Sequence, residues 1–301
     1  MARCSRFYLG RLIKLGETTS ELVMKVVESA PVISVRGARY TFTDFRAFGD
    51  PARPNGIFAK LTKYRPEGSV DVLKRDEHRV GSELVTDLIE ASSEFVYIPE
   101  YSGIAYRHVW NSIQREVFER VFSELFFISD LTLMAKCEIK PVVDMRAFAL
   151  RLANIDLITE LRAAVNPPNP LFAPCWKSLF DYVKSRRLDE LVVSEKSQGG
   201  IRSRLQEVAS QVAQPADSPE ASCELMEPLM GGVGDAAVLM AADGYGTAKV
   251  TGLEAGKRVT FKTSDNQKSF EMPAIVVPED LYSSAYDEFT SVRSTRWMEH
   301  G

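Results

Sequence analysis

The segment Phe95–Phe127, FVYIPEYSGIAYRHVW followed by NSIQREVFERVFSELFF, constrains this chain more than any other. Phe95–Pro99 is a short run of aromatic and β-branched residues, and Glu100–Gly103 is turn-forming, with a glycine free to take positive φ. From Ile104 to Trp110 the residues alternate: Ile104, Tyr106, His108 and Trp110 share one face, Ala105, Arg107 and Val109 the other. Asn111 is positioned to cap a helix, and Gln114 to complete a capping box. Ile113, Val117, Phe118, Val121, Phe122 and Leu125 then recur at helical spacing. A hairpin that runs straight into an amphipathic helix predicts a sheet with a helix laid on one face, the signature of an α+β unit. The segment carries no catalytic signature.

Upstream, Arg6–Leu15 predicts a first strand, and Ser20 caps a helix that buries Leu22, Val23, Val26 and Val27. Val32–Phe48 and Ile57–Tyr64 predict further strands on either side of the turn Asp50–Gly56. Residues 65–82 are charged, lack periodicity, and read as loop with some helix. After Asp130 the rhythm changes to strand Thr132–Val143, a helix capped by Asp144, strand Ile155–Val165, helix Trp176–Leu188, strand Glu190–Ser194 and helix Ile201–Val212. Gln214–Ser222 reads as a mobile loop. Then come an apolar, partly helical Glu224–Ala242, a hairpin turning at Ala255–Gly256, a last strand Met272–Val277, and a polar end from Ser283 expected to fray. The expected fold is α+β in two lobes. An N-terminal antiparallel sheet with helices on one face spans 1–130; a C-terminal mixed α/β lobe ending in a hairpin spans 131–282; a tail covers 283–301.

A formal net charge of -4 rules out a global basic field, so any grip on nucleic acid must be local. No apolar run is long enough to span a bilayer, and MARCSRFYLG lacks the apolar stretch of an export signal. Cys4, Cys137, Cys175 and Cys223 are far apart and, with His78, His108 and His300, form no zinc-binding spacing. These features favour a reducing, cytoplasmic compartment, with no cofactor, no metal and no membrane partner expected.

Four groups carry candidate chemistry. Asp130 followed by Glu138-Ile139-Lys140 on a strand matches the metal-dependent nuclease pattern, in which two carboxylates hold Mg²⁺ and a lysine orients water. An alternating strand produces the same triplet by chance. Gly231-Gly232-Val233-Gly234 invites a phosphate-loop reading, which the charge of Asp235 opposes. His108 could act as a general base, although a lone histidine between Tyr106 and Trp110 is more often a packed residue. The basic set Arg36, Arg39, Lys60, Lys63 and Arg107, interleaved with Tyr40, Phe42, Tyr64 and Tyr106, could hold a phosphate backbone and offer π-surfaces. Its alternative is a solvated face balanced by Asp44, Asp71, Asp76 and Glu77.

Three stretches, SSEFVYIPEYSGIAYRHV with its following helix, IDLITELRAAVNPPNP, and AADGYGTAKVTGLEAGKRVTFKTSDNQKSF, together resemble a bacterial domain-of-unknown-function family found near mobile-element and phage-defence genes. The order of elements is similar to that of the RexA phage-exclusion family. The shared motifs are structural turns, so the resemblance transfers no active site. It implies duplex DNA binding by a homodimer and a role in phage defence or exclusion alongside other defence proteins. The leading expectation is therefore a cytoplasmic nucleic-acid-binding accessory or sensor protein that grips phosphates with Arg39, Lys63 and Arg107, and with Arg36 and Lys60. The alternatives are a nuclease using Asp130, Glu138 and Lys140, and a protein-interaction scaffold that recognises a phage component.

Overall fold

The computed structural model describes residues 4–50, 53–74, 76, 78–131, 136–167, 177–207, 210 and 232–296. Strand β1 (Cys4–Leu15) is the axis of the larger sheet and is paired along its length. In register with it lie β6 (Gly103–Arg107) opposite Phe7–Arg11, β12 (Ser269–Pro273) opposite Cys4–Tyr8, and β7 (Lys136–Pro141) opposite Gly10–Leu15. Beyond β6 the sheet continues antiparallel through β5 (Arg79–Ile98), β4 (Arg53–Lys74), β3 (Ala38–Asp50) and β2 (Ile33–Val35). A second antiparallel sheet has the order β11 (Lys257–Lys262), β10 (Gly246–Glu254), β8 (Leu157–Val165), β9 (Leu191–Lys196). The fold is α+β, with a large antiparallel sheet, as the opening hairpin and helix predict.

The expected division near residue 130 does not coincide with the sheets. β7 and β12 come from beyond that boundary, yet they complete the sheet built by the residues before it. The physical reason is the length of β1: left alone, its second edge would expose a row of backbone donors and acceptors.

Helices α1 (Ser20–Ser29) and α2 (Arg115–Ile128) cover one face of the larger sheet. Phe95 meets Phe118 and Phe122 edge-on, and Tyr106 stacks on Phe118 at 4.4 Å between ring centroids. The opposite face, with Phe7, Leu9, Phe58, Val96 and Ile98, packs into a core shared with the second sheet and with α3 (Met145–Ala153). Helix α4 (Lys177–Ser185) packs beside α5 (Val233–Met240), which joins that core along with α6 (Pro278–Arg296). Arg11, buried on β1, binds the layers together. Its Nε and Nη1 donate to the carbonyls of Asp243 and Tyr101, each at 2.7 Å, and its guanidinium lies 5.0 Å from the Tyr245 ring centre. No described helix is long and apolar enough to cross a membrane.

Several local expectations change. The α1 cap is Thr19, whose hydroxyl accepts from the Leu22 amide, rather than Ser20. Helix α2 starts at Arg115 with no side-chain cap, because Asn111 takes φ 60° in the preceding turn. Asp144 caps α3 as expected, accepting from the Ala147 amide at 3.0 Å. Gln214–Ser222 lies outside the described residues. Residues 65–74 and 79–82 are strand rather than loop: β4 and β5 stay paired from Arg65–Leu88 out to Lys74–Arg79, forming a two-stranded ribbon beyond the sheet.

As far as Arg296 the polar end is helical rather than frayed. Leu281, Ala285, Phe289 and Val292 recur at spacings of four, four and three, and all are buried on the inner face of α6. Phe289 fills the space above Gly103: a Cβ added there would lie 2.6 Å from the ring. Gly103→Ala is therefore expected to overpack this contact and to destabilise the protein by about 1–3 kcal/mol. A thermal midpoint equal to that of the native chain would show that α6 can yield at this point.

Candidate nucleic-acid interface

The ladder divides the predicted basic residues between two faces. Thr43 lies opposite Lys60 on β4, and period-two alternation puts Arg39 on the same side. Arg107 lies there too, donating to both carboxylate oxygens of Glu94 at 3.2 and 3.0 Å. Lys60 is paired with Asp44 at 2.7 Å. This face is thus largely neutralised within the chain. Lys63 is opposite Tyr40 and therefore shares the other face, the one covered by α2. Arg39, Lys63 and Arg107 are not brought together.

A second grouping forms where Lys63 lies. Arg36 and Gly37 take φ 48° and 83° in succession, the two left-handed residues of a tight hairpin turn between β2 and β3. That turn, Lys63 and Arg65 on β4, Glu90 on β5, and Arg120 on α2 surround a cleft of about 430 Å³ with Tyr40 in its wall. Arg36 makes no ion pair among the described residues. Arg120 is 3.7 Å from Glu124, an exposed and weak pairing. Glu90 accepts from Lys63 at 2.8 Å and from Arg65. The hydrogen bond from Lys63, aided by the charges of Lys63 and Arg65, holds the Glu90 carboxyl below its ordinary value. Four cations from three elements thus line one opening that contains a single carboxylate. Arg36 and Lys63 were legible in the sequence as members of the candidate basic set. Arg120 was not, because it lies on the polar side of a helix whose apolar side dominates the pattern.

The nuclease candidates lie at two places, Asp130 just after α2 and Glu138 with Lys140 on β7. Asp130 is exposed in the turn after α2, and Lys140 is tied to Glu138 at 2.7 Å. Among the described residues no three His, Cys, Asp or Glu side chains come close enough to hold a metal ion. The glycine run opens α5 at Gly232, but the start of that helix is already served by the chain's own carboxylate: the Gly234 amide donates to Glu195 at 3.0 Å. Asp235 is buried and accepts from the Ser203 hydroxyl and the Arg204 amide.

His108 packs edge-on against Tyr8 and Trp110, and burial pushes its pKa down. Beside it, the Tyr106 hydroxyl donates to Glu119 at 2.5 Å and accepts from the Gln267 amide at 3.1 Å. Burial pushes the Glu119 carboxyl up, against the opposing hydrogen bond from Tyr106. A folded-state value above the unfolded one means that folding loses stability as pH rises from the ordinary carboxylate range through the raised value, with the loss complete above it. Glu119→Gln keeps an oxygen for Tyr106 and cannot ionise. Its thermal midpoint relative to the native protein should climb across that window and level off above it. A difference that does not vary with pH would show that Glu119 ionises without penalty.

No protein-family model matches the chain. No curated protein matches its sequence either.

Proposed function

We propose that this protein is a non-catalytic, cytoplasmic nucleic-acid-binding protein that holds the phosphate backbone of a duplex in the cleft between the β2–β3 turn, β4 and α2. The observation that carries this reading is the convergence of Arg36, Lys63, Arg65 and Arg120 on one opening with Glu90 as its single carboxylate. Guanidinium groups offer paired donors to phosphate oxygens, and an unpaired cation such as Arg36 binds an anion without first breaking an internal contact. Such a grip reads backbone rather than bases, so it is salt-dependent and weakly sequence-selective. The role in phage defence or exclusion rests on the family resemblance alone.

The test is binding of a labelled duplex over a salt series. Each phosphate neutralised contributes about -0.9 to the slope of log affinity against log salt. Replacing Arg36, Arg65 and Arg120 together with Ala is expected to flatten that slope by about 3. The pair Arg39 and Arg107, on the far face, should leave it nearly unchanged when replaced. Absence of binding at low salt, or equal slopes for the native protein and the cleft variant, would remove this reading.

A further inference from the structure

Three polar side chains from three elements converge on one oxygen outside the basic cleft. Lys14 on β1 places its Nζ 2.9 Å from the Ser20 hydroxyl, and the Tyr97 hydroxyl on β5 donates to the same oxygen at 3.0 Å. Ser20 opens α1, but the cap of that helix is Thr19, so the Ser20 hydroxyl is not needed at the helix start. It lines instead a cavity of about 620 Å³, whose walls include Met24, Pro99, Tyr282 and Tyr286 together with Glu21 and Glu100. The turn that presents Ser20 is held in place. Gly16 takes φ 64°, and the Thr18 hydroxyl lies 2.7 and 3.0 Å from the carbonyls of Leu15 and Lys136.

We propose that Ser20 is an acylation site, which takes the acyl group of an uncharged ester or thioester with Lys14 as its base. A serine hydroxyl is a weak nucleophile until a neighbouring base takes its proton, and a lysine does this as the neutral amine. Burial pushes the pKa of Lys14 below its ordinary value, against the opposing effect of Cys137 across the β1–β7 ladder. Burial pushes the pKa of Tyr97 up, so its hydroxyl keeps its proton and stays a donor to the Ser20 oxygen. In the transfer, Ser20 Oγ bonds to the carbonyl carbon as its proton passes to Lys14 Nζ. The bond from that carbon to the leaving oxygen or sulfur then breaks, and Lys14 returns the proton to the leaving atom. Negative charge that develops on the carbonyl oxygen is favoured by the positive end of α1, where Ser20 sits.

The cavity selects the acyl donor. Its walls are largely apolar and aromatic, and the charged side chains among the described residues that line it, Glu21 and Glu100, are both acidic. An anionic donor meets like charge there, whereas an uncharged one does not. The transfer consumes one serine per chain and involves no turnover, so it adds a modification site to the nucleic-acid reading. It shares no residue with the basic cleft and does not depend on what the cleft binds.

The test uses p-nitrophenyl acetate, which is uncharged and reports its leaving group by colour, on the full chain. The native protein should release one equivalent of p-nitrophenolate, and peptide mass mapping should place the acetyl group on Ser20. Ser20→Ala should abolish the release and still fold, because Thr19 continues to cap α1. Lys14→Arg and Lys14→Gln keep a donor to Ser20 but no base. Each should slow acetylation about a hundredfold, and thermal melting shows which of the two is folded and can be read. p-Nitrophenyl hemisuccinate, which carries a carboxylate, should acylate Ser20 about tenfold more slowly than the acetate. Acetylation of Lys14 or of scattered surface amines in place of Ser20 would overturn the proposal. So would equal release by the native protein and Ser20→Ala, or a folded Lys14 variant as fast as the native chain. Equal rates for the two esters would remove the choice of an uncharged donor.

Discussion

Arg11→Met is expected to destabilise the protein by about 3–5 kcal/mol, far more than any surface substitution. Arg11 is almost fully buried, and two of its hydrogen bonds end on main-chain carbonyls from segments distant in sequence, Tyr101 and Asp243. Methionine fills much of the same volume but removes both donors, leaving each carbonyl short of a hydrogen bond in a site closed to water. The loss of the contact over Tyr245 adds to this. Arg11→Lys should recover little, because a single ammonium cannot reproduce the planar fork that reaches two carbonyls at once. Urea denaturation of the three proteins measures the effect. A midpoint for Arg11→Met within error of the native value would mean that the two segments are held by other contacts and that Arg11 is incidental.

Val121→Asp is expected to abolish cooperative folding. Val121 is fully buried on α2, in the apolar core that Phe118, Phe122 and Leu125 share with the larger sheet. A carboxylate there must either ionise in an apolar site or fold only in its protonated form, and either route removes most of the few kcal/mol that keep a domain of this size folded. Val121→Ala separates charge from volume: it should cost about 1–3 kcal/mol and still melt in one transition. Far-UV circular dichroism against temperature distinguishes the outcomes. A sharp native-like transition for the Asp variant would show that α2 presents a different face to the sheet.

These two sites differ in how far the sequence reveals them. Val121 is legible because α2 is buried on one side only, so its apolar residues fall into a helical period that no other structure explains. Arg11 is not, because an arginine within an apolar strand looks the same whether its guanidinium reaches solvent or carbonyls 90 and 232 residues away. The ribbon was invisible for the opposite reason. With solvent on both faces, Val70, Leu73, Val80 and Leu84 obey no in–out alternation, and pairing alone makes the segment a strand. Helix α6 was hidden by dilution: Leu281, Ala285, Phe289 and Val292 are separated by polar residues that dominate the local average.

At the candidate interface, period two alone places Lys60 and Lys63 on opposite faces. Only the register of β3 against β4 decides which of them accompanies Arg39. That register is shifted by irregularities between Thr43 and Arg46 and between Phe48 and Gly49, which a period-two pattern does not announce.

The pairing of β1 with β12 has a consequence for how the chain reaches this structure. Cys4 meets Pro273 and Tyr8 meets Ser269, so β1 waits for a strand made far later in synthesis before its edge is closed. Contacts this distant in sequence pay loop-closure entropy before they return any stability, which slows folding. During synthesis β1 can pair with β6 and then β7, but the stretch from Cys4 to Tyr8 keeps an open side until Ser269 emerges. A nascent chain of this kind offers other chains a strand edge until β12 is made, and is a natural client for factors that shield such edges.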